Sequence, residues 1–258
     1  MAGSDEESDM NKIKYSVTLI VLGSICLGCT YVFGRDLFRW KQDTDRSSEI
    51  NKVIESTAEN KSEQFTHESW IALKQQSDRF VGYMAFPDGF VAQPIVQGTD
   101  NTYYLKHALD GSYSEQGTVF VRSEDNTAND TNITLLGHHV EYDSNAMFSP
   151  LVKLADQAEY DNHHDFSIWY ENQKIDYEIL AVFNMSEAQS AEFDFTQRNF
   201  YGDADFNRYM NYVSEHNLIH PADTISSSDR FLTIQTCQSY FNDTKVILLA
   251  KQIDSNEY

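Results

Sequence analysis

From Phe80 onward the sequence is a succession of short apolar runs cut by turn residues, and this limits the fold more than any other feature. FVGYMAF is followed by PDG, VAQPIV by QGTDN and GTVFVR by SEDNTAND. After these come ITLLG, then DFSIWY followed by ENQ, then IDYEILAVF, and late in the chain FLTIQTC and VILLAK. Such runs are rich in β-branched and aromatic residues and too short to carry a helical repeat, so each reads as a strand. Many short strands at this spacing predict a mainly β domain, a sandwich or a barrel. One interval breaks the pattern. Between Ala204 and Leu218, Phe206, Tyr209, Met210 and Val213 recur at helical spacing after an acidic start, which predicts a helix lying across the β domain.

Upstream, Val17 to Phe33 carries no charge and is flanked by Lys12 and Lys14 before it and by Arg35, Arg39 and Lys41 after it. Its length is close to the roughly 20 apolar residues that cross a bilayer. A cleaved signal peptide, a lipoprotein signal and a retained anchor are the three readings. Neither GSIC nor CLGC has the residues a lipoprotein signal needs before its cysteine, and no A-x-A-like cleavage site follows, so a retained anchor is expected. Positive charge on both sides leaves the orientation open. Residues 41 to 78 are polar with spaced apolar positions at Ile50, Val53, Ile54, Phe65, Trp70, Ile71 and Leu73, a pattern of two helices leading to the β domain.

Forty acidic residues against nineteen basic ones give a formal net charge of -21, which repels phosphate backbones and sets nucleic acid aside as a partner. Of three cysteines, Cys26 and Cys29 lie inside the apolar segment as small apolar residues, and Cys237 has no partner left in the rest of the chain. A disulfide framework is thereby excluded. Cys237 is either an ordinary buried thiol or a reactive one. A free thiol has a pKa of about 8.5, so a reactive one needs a cation, a histidine or a helix N-terminus beside it. Of eight histidines, His138 and His139 stand apart, because they follow ITLLG, a buried-strand pattern ended by glycine.

The segments TLLGHH (Thr134 to His139) and LTIQTC (Leu232 to Cys237) resemble the two active-site motifs of sortases, the membrane-anchored cysteine transpeptidases of Gram-positive bacteria. VGYMAFPDG, PIVQGTDNTYYLKHALDGSYSEQGTVFV and GHHVEYDSNAMFSPL are similar to the early strands and loops of class B sortases in particular. The resemblance implies a closed β-barrel with N-terminal helices and a helix between the sixth and seventh strands, preceded by one transmembrane helix. The implied organisation is a cytoplasmic tail at 1–14, an anchor at 15–34, a helical neck at 35–78 and an extracellular catalytic barrel at 79–258. Cys237 is then the nucleophile that forms a thioacyl intermediate, His138 the general acid and base, and His139 structural. Gln235, Thr236 and Gln238, with Asn101 and Leu105, take substrate-binding positions, the backbone amide of Gln238 serving the oxyanion. The partners implied are secreted surface or pilin proteins bearing a sorting signal, with a cell-wall precursor or a pilin lysine as acceptor. No metal or organic cofactor is implied.

The sequence departs from the family at one position. Where relatives carry an arginine at the start of the strand after the cysteine, this chain has Lys245, which keeps the charge and loses the planar two-pronged donor set. Three readings stay open: Lys245 serves in its place, another arginine reaches in, or the chain is a weak or binding-only member. Arg122 at the end of GTVFV is the arginine to consider, although an exposed strand end is its simpler reading. Hydrolysis without transfer, as in a membrane-anchored cysteine peptidase, is the enzymatic alternative.

Overall fold

The computed structural model describes residues 3–57, 65–140, 143–221, 225–239 and 244–256, and side chains within these except at 3–13 and 237–239. The chain divides into two compact units, Met1–Ser47 and Ser48–Tyr258.

The first unit is helical. Helix α1 spans Gly3–Thr57, so the apolar segment and the polar stretch after it form one continuous helix. From Arg35 to Thr57 no Gly or Pro interrupts it. Val17 to Phe33 would extend about 26 Å at helical rise, and this helix is long and apolar enough to cross a membrane. Three of its hydroxyls are bonded internally: Thr18, Ser24 and Thr30 each donate to the carbonyl four residues earlier at 2.8 Å. Bonded this way, they bring no unpaired donor into hydrocarbon.

In the second unit, α2 (His67–Gln76) starts at a capping box in which Thr66 and Ser69 each accept from the other's backbone amide. Eight strands follow: β1 (Phe80–Ala85), β2 (Ala92–Gln97), β3 (Val119–Val121), β4 (Asn132–Leu136), β5 (Asp165–Trp169), β6 (Lys174–Ser186), β7 (Phe231–Ser239) and β8 (Thr244–Asn256). Short helices α3 (Gln157–Asn162) and α4 (Glu187–Glu192) and the longer α5 (Asp203–His216) interrupt them. The strands close into a barrel in the order β1-β2-β3-β4-β7-β8-β6-β5. The β2–β3 and β4–β7 pairs are parallel and the other six are antiparallel.

Why VILLA reads as an unbroken apolar run is answered by the packing. Val246, Leu248 and Ala250 join Leu232, Ile234, Ile133 and Leu135 in the barrel interior. Ile247 and Leu249 face outward and pack with Phe206, Tyr209 and Val213 of α5. A second outer cluster gathers Trp70 and Leu73 of α2 with Phe80, Tyr83, Phe120 and Trp169. Strands covered on both faces lose the simple alternation of a half-exposed sheet.

Candidate active site

The register of one strand pair builds the site. In the parallel β4–β7 ladder Leu136 lies beside Gln235, and the Gly137 amide donates to the Gln235 carbonyl at 3.2 Å, which carries the pairing one step past β4. His138 and Cys237 each lie two residues beyond that last pair, at the same end of strands spaced about 4.8 Å apart. On the other side of β7, Cys237 is paired with Lys245 of β8. The register then shifts between Cys237 and Ser239, which makes Gln238 an inserted residue. Bulges of this kind bend a strand and re-aim what it carries, and they are common beside active sites. The side chains of Cys237 and Gln238 lie outside the described residues.

His138 is held from two directions. Its Nε2 donates to the Leu105 carbonyl at 2.8 Å, and its own carbonyl accepts from the Phe148 amide at 3.0 Å. With the proton of a neutral imidazole on Nε2, Nδ1 is the nitrogen left to exchange a proton with a reacting group. Burial is the main influence that holds this imidazole below its usual pKa. Lys106 acts in the same direction, while the Leu105 carbonyl and Glu115 oppose it. Neutral His138 is therefore the resting form at neutral pH. Gly137 is required by packing, since a Cβ there would come within 2.5 Å of the Phe148 ring, whose residue is fully buried.

Leu105 belongs to a 3-10 turn, Tyr103–Leu105, in the β2–β3 crossover. The crossover is pinned by Lys106, which pairs with Glu115 at 3.0 Å, and by Gly117 at φ +67, where a Cβ would strike the Tyr104 carbonyl at 2.3 Å. Asn101 is engaged within the same loop system: its Oδ1 accepts from the Ser123 amide and its Nδ2 donates to Glu124, both at 2.8 Å. Gln235 is half-buried. Thr236 is 1% exposed and follows Leu232 and Ile234 on the inward row, so its side chain faces the barrel interior.

Lys245 stands on the outward row with Ile247 and Leu249, 22% exposed at the side chain. Its Nζ is 3.4 Å from Glu187 Oε1 at the start of α4 and 5.8 Å from the centre of the Phe195 ring. Neither neighbour was found by reading the sequence. Ser186 and Gln189 do have the spacing of a capping box, but nothing in the chain ties that helix start to Lys245.

Arg122 is placed elsewhere and is not an exposed strand end. Its amide donates to the Thr134 carbonyl, and Thr134 is level with Thr233, four residues before Cys237 and about 13 Å away along the strand. Its guanidinium, with a side chain 19% exposed, pairs with buried Asp125 at 3.0 Å, lies 3.6 Å from Glu124 and donates to Thr196. The reason is local: Asp125 accepts from the Thr134 amide at 2.7 Å, and this buried carboxylate calls for a cation.

The sortase-domain family model matches residues 86–253. The chain belongs to the sortase family. It is similar to sortase B of Listeria monocytogenes serovar 1/2a, 26% identical over 227 residues that cover 87% of this chain and 89% of that relative. Among solved structures, that of Clostridium perfringens sortase B superposes with a TM-score of 0.65 at 25% identity, covering 72% of this chain and 100% of the other. A Staphylococcus aureus sortase B-substrate complex matches in fold, with a TM-score of 0.69 at 18% identity over 83% of this chain and 99% of that one. The expected class B-like sortase, with its closed barrel, is what the comparisons give. Its activity is that of the family, cysteine transpeptidation.

Proposed function

We propose that this sortase cleaves the C-terminal sorting signal of secreted surface proteins with Cys237, His138 and Lys245, and joins the acyl product to an amine of the cell wall or of a pilin subunit. The supporting observation is the β4–β7 register, in which Leu136 lies beside Gln235, each two residues before His138 or Cys237. His138 takes the Cys237 thiol proton at Nδ1 as the sulfur attacks a carbonyl carbon of the sorting signal, and the tetrahedral oxyanion is supported by the Lys245 ammonium and the Gln238 amide. The C–N bond breaks as His138 protonates the departing amine, leaving a thioester. An incoming amine gives its proton to His138 as it attacks, the C–S bond breaks as His138 passes that proton to the sulfur, and a new amide and a free thiol result. Asn101, Leu105, Gln235 and the backbone at Thr236 and Gln238 border the bound peptide.

In the same reading, residues 1–14 form a cytoplasmic tail, 15–34 the anchor and 35–78 the neck, with the barrel at 79–258 outside the membrane where exported substrates pass. The test is incubation of the purified protein with a panel of sorting peptides and amines, followed by mass spectrometry of the products. An amide product that depends on the added amine and disappears in Cys237→Ala and His138→Ala is expected. Cleavage that ignores the amine would make the protein a hydrolase, and no cleavage of any peptide would leave a binding protein.

A further inference from the structure

We infer that Glu187 and Phe195 are positioning residues for Lys245, and that together they give its ammonium the direction that a guanidinium carries in its own plane. The inference rests on the role proposed for Lys245. A lysine ends in a compact charge on four rotatable carbons, with no plane of its own, so it reaches a fixed place only when its surroundings hold it there. Two contacts of different kinds do so here. The Glu187 carboxylate approaches from the β6 side, where Met185 is the register partner of Lys245 and Glu187 follows two residues later as the first residue of α4. The Phe195 ring approaches from the β7 side, within the range of a cation–π contact.

Both holders are themselves fixed. The capping box of Ser186 and Gln189 sets the start of α4. Phe195 is buried, and its carbonyl accepts from Tyr209 Oη at 2.9 Å and from Thr233 Oγ1 at 3.5 Å, which binds this segment over β7. Glu187 is 71% exposed at the side chain, so its ion pair adds little to stability, and its effect is on where the ammonium points. The ammonium thus lies between two anchors on the outer face of β8, carried by the direct register partner of Cys237.

The experiment uses the full chain in detergent micelles. Glu187→Gln is expected to lower kcat by roughly fivefold or more with KM within about twofold, because a misdirected oxyanion donor is felt at the transition state. Glu187→Asp should recover part of the loss. In a Lys245→Met background, Glu187→Gln should change nothing further, since contacting residues lose their coupling once one is removed. In Lys245→Arg the same change should have under about twofold effect. Equal losses in the wild-type and Lys245→Met backgrounds, or an unchanged kcat, would overturn the inference. A second measurement needs no turnover. With 13Cε-labelled lysine, the order parameter of the Lys245 signal should fall in Glu187→Gln and again in Phe195→Leu. An unchanged order parameter in Glu187→Gln rejects the positioning role even if the protein transfers no peptide, whereas failure of the functional reading shows as inactivity of the wild type itself. Glu187 is exposed, so its variants fold and decide the matter if Phe195→Leu does not.

Discussion

At the scale of single residues, the oxyanion role proposed for Lys245 makes the sharpest predictions. If Lys245 supports the oxyanion, Lys245→Ala should lower kcat/KM by about 10²–10³-fold, the usual cost of one such donor. Steady-state peptide cleavage measures it, and an unchanged value would return the role to another group. His138 gives a prediction about stability. Its imidazole is held below the usual pKa in the folded protein, chiefly by burial, so the unfolded chain takes up the proton first as the pH falls past about 6.5. Folding then releases a proton, and the folded form should lose stability as the solution is acidified from pH 7 to 5. In thermal unfolding, the wild type should fall relative to His138→Gln across that window and show no such trend above pH 7.5.

At the scale of elements, the strands were legible and their neighbours were not. The apolar runs named from sequence coincide with β1 to β8 because each is bounded by turn residues and filled with residues that fit a pleated surface. The helix expected between Ala204 and Leu218 is α5, Asp203–His216. What escaped the sequence depends on register and on contacts over long separations. Leu105 meets His138 through a backbone carbonyl, which no side-chain pattern reveals. Glu187 and Phe195 reach Lys245 from 58 and 50 residues away (245 − 187 and 245 − 195). Arg122 shows the converse, a residue read as an exposed strand end or a candidate for the site that instead pairs with buried Asp125. Arg122→Met should leave activity per folded molecule within about twofold, while costing ~3 kcal/mol of stability by stranding buried Asp125. Denaturant titration beside a kinetic assay separates the two. Gly137→Ala should cost about 1–3 kcal/mol, because the fully buried Phe148 ring has no free space to yield into.

At the scale of the whole molecule, an apolar helix and a closed barrel are joined in one chain with a strong excess of acid. Removing residues 1–34 should move the protein from the detergent phase to the aqueous phase with its barrel intact, read by phase partition and far-ultraviolet circular dichroism. Retention in the detergent phase would locate the membrane-seeking surface elsewhere. The parallel seam between β4 and β7 has an effect on the timing of assembly. Ninety-four residues separate Leu136 from Phe231 (231 − 136 − 1), and every one of them must be made before the seam can close. On the proposed reading, a chain still being made therefore keeps Cys237 apart from its partners on β4 and β8 until its last two strands dock. Acyl transfer by that pair then waits for the barrel to shut.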